Sequence, residues 1–209
     1  MVLRSSTSGG PRDPACTGGS NDYAVGRRTW PQWALSGCQP RGAGPYGIAT
    51  TPDGQVFFAS LAGNYLGQID LATGTAAVLD PPVPRQGARW VWSDSRGGLW
   101  ITGWNTGDLF RYDSKTKTWA HWHLPGDGPQ PYAVYVDETD VVWVSDWGAN
   151  AILRFDPKTE KFETFPLPDH YAGVRQLAGR RGEVWGAESG TDKLFCTEDG
   201  VGEGVLLRR

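Results

Sequence analysis

Apolar and polar positions alternate in short runs along most of the chain, and the runs recur. Between Gln130 and Pro168 the apolar runs are YAVYV, VVWVS, AILRF and KFETF, separated by DETD, DWGAN and DPKTE. Val, Ile, Tyr, Trp and Phe fit a pleated surface, and the Asp, Asn, Gly and Pro of the separators form turns. No window holds helical spacing long enough for an amphipathic helix. The stretch therefore predicts a four-stranded antiparallel meander.

The rest of the chain repeats that unit. Asp70, Asp113 and Asp156 stand 43 residues apart and each opens a D-x-x-T turn, completed by Thr73, Thr116 and Thr159. Phe57, Trp100 and Trp143 keep the same interval on the second strand, and Trp185 follows 42 later. Leu66, Leu109, Ile152 and Leu194 hold that register on the third strand. Four strands per repeat of this length are the pattern of a β-propeller. One sheet cannot bury both of its faces, so neighbours must stack. The fold expected is all-β, with blades over about 45–84, 88–125, 130–168 and 173–209. Strands should centre near residues 46–50, 56–60, 65–70 and 75–79 and recur at the same period.

The two ends read differently. Residues 1–22 are dominated by Gly, Ser, Thr, Pro and Asp, and disorder is expected there. They hold no apolar run long enough for a signal peptide, and nothing in the chain approaches a transmembrane span. Thr29–Leu35, TWPQWAL, echoes the fourth-strand phrase TWAHWHLP of Thr118–Pro125. It either belongs to a blade whose other strands are not in this sequence or closes a ring by pairing near Lys193–Thr197. If Gly202–Leu207 forms blade four's own last strand, the first alternative is favoured.

Composition removes some functions. A formal net charge of −3 over 209 residues gives no electrostatic case for nucleic acid or an anionic membrane. Three cysteines, Cys16, Cys38 and Cys196, without a CxxC pair, make neither a disulfide framework nor a zinc site. No G-x-S-x-G, P-loop or HExxH motif is present. Compartment and oligomeric state are not readable from this sequence.

The phrases PYGIATTPDGQVFFAS, WGANAILRFDPKTEKFETFPLP and GEVWGAESGTDKL resemble the virginiamycin B lyase (streptogramin lyase) family, from about Pro45 to Leu194. The resemblance implies a seven-bladed propeller, so about three blades would lie outside this sequence. It also implies a carbon–oxygen lyase, which opens a cyclic depsipeptide at an ester by elimination. Mg²⁺ with His and Glu at the channel mouth would be the implied machinery. Such chemistry needs a base for the proton α to the carbonyl and a cation to stabilise enolate-like charge. Glu suits Mg²⁺, which prefers oxygen ligands. In the family's pattern His begins the first strand as P-H-G-I and Glu ends the second as W-F-T-E. Here the His position holds Tyr46, Arg89, Tyr132 and Val174, and the Glu position holds Ser60, Gly103, Asp146 and Glu188. Only Glu188 keeps the family residue.

The candidates follow. Glu188 is the candidate catalytic and metal-binding carboxylate; the plain alternative is a loop carboxylate pairing with Lys193. Asp146 is its counterpart in blade three, or a turn cap. Arg89 and Arg175 suit a ligand carboxylate or ester oxygen, or else pair with acids of a neighbouring blade. Tyr46, Trp104, Tyr132 and Trp147 would line an aromatic mouth. Trp100, Trp143 and Trp185 are expected to pack between blades. His121, His123 and His170 are expected at the surface, the first two on one face of an outer strand with no carboxylate identified nearby.

Three functions remain open: a Mg²⁺-dependent lyase on a cyclic ester, a propeller binding a peptide, sugar or protein without chemistry, and a lactone hydrolase of the gluconolactonase kind.

Overall fold

A computed structural model describes residues 44–198 and 206–208. The calls on residues 1–22, on Thr29–Leu35, and on Cys16 and Cys38 lie outside them. Sixteen strands form four antiparallel sheets and no helix is present among the described residues. Blade one holds β1 (Pro45–Thr50), β2 (Val56–Ser60), β3 (Tyr65–Ile69) and β4 (Ala76–Leu79). Blade two holds β5 (Ala88–Ser93), β6 (Gly98–Gly103), β7 (Asp108–Asp113) and β8 (Thr118–His123). Blade three holds β9 (Pro131–Val136), β10 (Val142–Asp146), β11 (Ala151–Asp156) and β12 (Lys161–Pro166). Blade four holds β13 (Val174–Arg180), β14 (Glu183–Glu188), β15 (Lys193–Glu198) and β16 (Leu206–Arg208). Each sheet is a meander in sequence order. The propeller architecture expected from the period is what forms.

The D-x-x-T turns join the third strand of a blade to its fourth. Oδ1 of Asp70 accepts from the amides of Ala72 and Thr73, and Asp113 does the same for Lys115 and Thr116. Asp156 takes the amide of Lys158 and the hydroxyl of Thr159. Each carboxylate thus satisfies donors that a reversing chain leaves open, and those bonds hold all three below the usual carboxylate range.

The inner strands β1, β5, β9 and β13 touch in that order. Three apolar cores lie between consecutive blades. Phe57, Leu66, Val91 and Ile101 fill the first, Trp100, Leu109, Val134 and Val144 the second, and Trp143, Ile152, Leu177 and Phe195 the third. Trp100 and Trp143 also donate their indole N–H to buried Asp94 and Asp137, so neither buried indole is left without a partner. The expectation for Trp185 needs correction. It is 41% exposed, because among the described residues no further sheet stacks on blade four.

Every blade carries a β-bulge at the start of its inner strand. Residues 46–47 stand opposite Ala59 between the pairs Pro45↔Ser60 and Ile48↔Phe58. Residues 89–90 stand opposite Thr102, 132–133 opposite Ser145, and 175–176 opposite Ala187. A bulge inserts a residue and re-aims side chains. In the middle blades a hydroxyl stabilises it. Thr102 Oγ1 accepts from the Trp90 amide at 3.0 Å and donates to the Tyr132 carbonyl at 2.8 Å. Ser145 Oγ accepts from the Ala133 amide at 2.9 Å and donates to the Val174 carbonyl at 3.0 Å. Each hydroxyl therefore links its own bulge to the next blade.

Candidate functional site at the bulged end

The four bulges place Tyr46, Arg89, Tyr132 and Arg175 at one repeat position on four successive inner strands, which corrects the blade-four assignment: Val174 pairs with Glu188 as Pro45 pairs with Ser60, so Arg175 and not Val174 is the counterpart of Tyr46. Their side chains form one connected group. The Tyr46 hydroxyl is hydrogen-bonded to that of Tyr132. Arg175 Nη1 donates to the Tyr132 hydroxyl at 3.3 Å, and Arg89 Nη2 approaches that of Tyr46 at 3.5 Å. The Arg89 guanidinium carbon lies 3.8 Å from the ring centroid of Tyr132, 4.4 Å from that of Trp104 and 4.8 Å from that of Tyr46. Arg175 lies 4.8 Å from that of Trp147. Tyr132 stacks on Trp147 at 4.8 Å, and Trp104 meets both edge-on at 5.7 Å.

Burial pushes the Tyr132 phenol up, but the hydrogen bond from Tyr46 and the two arginines outweigh it and leave its pKa below the ordinary value. Tyr46 moves the other way, raised by burial and by its bond to Tyr132. Cation–π contacts of this kind are worth about 2 kcal/mol where the cation is desolvated.

The arginines find no acid. Neither Arg89 nor Arg175 takes part in an ion pair among the described residues. Arg175 uses Nε on Ser189 Oγ at 2.9 Å, and the Nε of Arg89 is buried without a partner. The pairing with neighbouring acids that the sequence left open does not form there.

The carboxylates sit beside this group rather than in it. Asp146 Oδ1 caps the turn, accepting from the amides of Gln130 at 2.7 Å and Gly148 at 2.9 Å, while its buried Oδ2 has no partner. Glu188 is buried and accepts from the Thr191 hydroxyl at 2.6 Å. The Glu188–Lys193 pairing is corrected: Lys193 Nζ bonds Asp169 at 2.8 Å. Between blades three and four a cleft of ≈ 330 Å³ is lined by Asp146, Trp147, His170, Tyr171 and Val174 among others. His121 stacks on Phe110, and His123 Nδ1 lies 3.0 Å from Asp108, the carboxylate the sequence reading missed.

Magnesium does not fit the donors described. No three of the described His, Cys, Asp and Glu side chains are placed to hold an ion. The positions aligned with the family's His carry two guanidinium groups, which repel a cation. Sequence reasoning also missed Trp90, 5.8 Å edge-on to Tyr46, and the hydroxyls of Thr102 and Ser145. Their interval of 43 residues was the available signal.

The profile of the virginiamycin B lyase family matches residues 20–201. A streptogramin B lyase structure superposes with a TM-score of 0.70 at 20% identity, over 75% of this chain and 52% of that one. A catalytically inactive virginiamycin B lyase from Staphylococcus aureus with quinupristin gives 0.70 at 21%, over 78% and 54%. Hydrazine synthase of Kuenenia stuttgartiensis gives 0.61 at 16%, over 77% and 47%, an instance of one fold serving different functions. This chain spans about half the length of the two lyase structures. No curated protein sequence matches it.

Proposed function

The chain belongs to the virginiamycin B lyase family, and we propose that its bulged end is a binding site for a peptide-like ligand with aromatic groups. The observation that carries this reading is the Tyr46–Arg89–Trp104–Tyr132–Trp147–Arg175 cluster. Aromatic faces offer large apolar contact at low entropic cost, and convergent polar groups fix orientation. A structure of a family relative is described with quinupristin, so a streptogramin-B-type cyclic depsipeptide is the ligand to try first. Titration of intrinsic tryptophan fluorescence should show saturable binding. Trp147→Ala should weaken it about tenfold, roughly the worth of one stacked aromatic with its buried area. Unchanged affinity in that variant would move the ligand elsewhere.

Elimination at an ester is the second reading, favoured by Glu188. Its carboxylate is buried and in no ion pair among the described residues, and a carboxylate so placed can take a proton α to a carbonyl. Elimination adds no water, so the product is a linear isomer, read by chromatographic retention. Intact ligand recovered with and without Mg²⁺ supports binding alone. Ring opening lost in Glu188→Gln would establish the lyase reading.

A further inference from the structure

We propose that Arg89 and Arg175 make the mouth a receptor for a single carboxylate borne on an aromatic ligand, such as the C-terminal end of a peptide finishing in an aromatic residue. The proposal rests on the binding reading above and adds the charge and chemical class of what is bound.

Three observations carry it. The first is unspent hydrogen-bonding capacity. A guanidinium has five N–H donors in a planar fork. Among the described residues Arg89 makes one long bond, to Tyr46 at 3.5 Å, and its buried Nε makes none. Arg175 uses Nε and Nη1, on Ser189 and Tyr132. The second is charge. Both cations flank one phenol, Tyr132, and neither meets a carboxylate. Three other arginines of the described residues do find acids: Arg111 with Asp94, Arg154 with Glu163 and Arg180 with Glu183. Two uncompensated guanidinium groups beside one ring repel any cation and attract an anion. The third is the floor. The partly exposed rings of Trp104 and Trp147 lie against Arg89 and Arg175 respectively, over the buried Tyr132, so a ligand placing its anion on the forks has indole surface under the adjoining group.

A planar carboxylate matches the fork bidentately. Arg89 and Arg175 on their bulges make the mouth a place for an anion rather than a cation.

Matched probes test this. N-acetyltryptophan carries the carboxylate and N-acetyltryptophanamide does not. Isothermal titration of the full chain with each, at low and high salt, is the measurement. The acid should bind about tenfold tighter than the amide, the worth of one charge-assisted bond, and its advantage should shrink with salt. Arg175→Gln should bring the affinity for the acid down to that for the amide and leave the circular dichroism spectrum unchanged. Arg175 is exposed, so the variant should fold. Equal binding of acid and amide would overturn the carboxylate proposal and leave the binding reading standing. Failure of both probes to bind would overturn both. An acid preference that survives in Arg175→Gln and in Arg89→Gln would place the anion elsewhere and overturn the assignment.

Discussion

Among the described residues, the stacked faces between blades and the exposed faces at the two ends of the blade series are written with the same residues and behave differently. Ile48, Val91, Val134 and Leu177 occupy one repeat position. Three are at most 1% exposed, while Ile48, on the outer face of blade one, is 66% exposed. On the opposite face Leu66, Leu109 and Ile152 are fully buried and Leu194 is 59% exposed. Burial in a repeat protein belongs to the neighbour as much as to the residue. A sequence pattern reports which face is apolar, and only the stack decides whether that face is dry.

The largest test of the comparison is a pair of identical substitutions. Trp143→Ala opens a cavity between blades three and four and takes the indole donor away from Asp137 Oδ2. It should cost about 3–5 kcal/mol. Trp185→Ala removes a half-covered ring and should cost about 1 kcal/mol or less, as surface changes generally do. Urea unfolding of both variants checks this. Similar losses would mean that blade four's outer face is covered in solution.

The sequence showed the fold well for one reason. A strict period carries the strands from one blade to the next, so β1 to β4 fall within a residue of their expected bounds. The site was less legible. Tyr46, Arg89, Tyr132 and Arg175 share a register that subtraction finds, but their grouping depends on the bulges. An inserted residue is invisible to a two-residue alternation, because the pattern on either side still reads as strand. For Arg89 and Arg175 the sequence leaves a ligand anion and a neighbouring acid both open, because nothing in it reports that phenols lie closer. Trp185 was placed with Trp100 and Trp143 on register alone, which cannot report a missing neighbour.

A smaller effect separates middle blades from end blades through the bulge. Thr102 and Ser145 each satisfy an amide and reach the next blade. Blades one and four have Ala59 and Ala187 in those places. Ser145→Ala leaves a buried amide and a carbonyl short of a partner, so it should cost about 1–3 kcal/mol. Ala187→Ser on the uncovered face should be close to neutral. Equal and small effects in both would mean that water replaces the hydroxyl in the middle blades too. Because the Tyr132 carbonyl is the acceptor for Thr102, Thr102→Ala should also loosen the aromatic cluster and weaken ligand binding.

The smallest expected effect is a titration at the uncovered face. In blades two and three the indoles of Trp100 and Trp143 donate to buried aspartates, whereas Trp185 donates to Glu183 at 2.9 Å. Arg180 also binds Glu183 through Nε at 2.7 Å and Nη2 at 2.9 Å. Those bonds, Arg180 first, lower the Glu183 pKa from 4.5 to about 2. A carboxylate depressed on folding contributes stability above its unfolded pKa and loses it as pH falls through the folded value. The contribution is therefore complete above about pH 4.5 and fades toward pH 2, and the exposure of Arg180 to solvent keeps it small. The Trp185 indole resonance should shift with a midpoint near 2 in the wild type, and Glu183→Gln should abolish the shift. A midpoint near 4.5 would mean that the Arg180–Glu183–Trp185 contact does not persist in solution, and that the outer face of blade four is less ordered than the faces stacked inside.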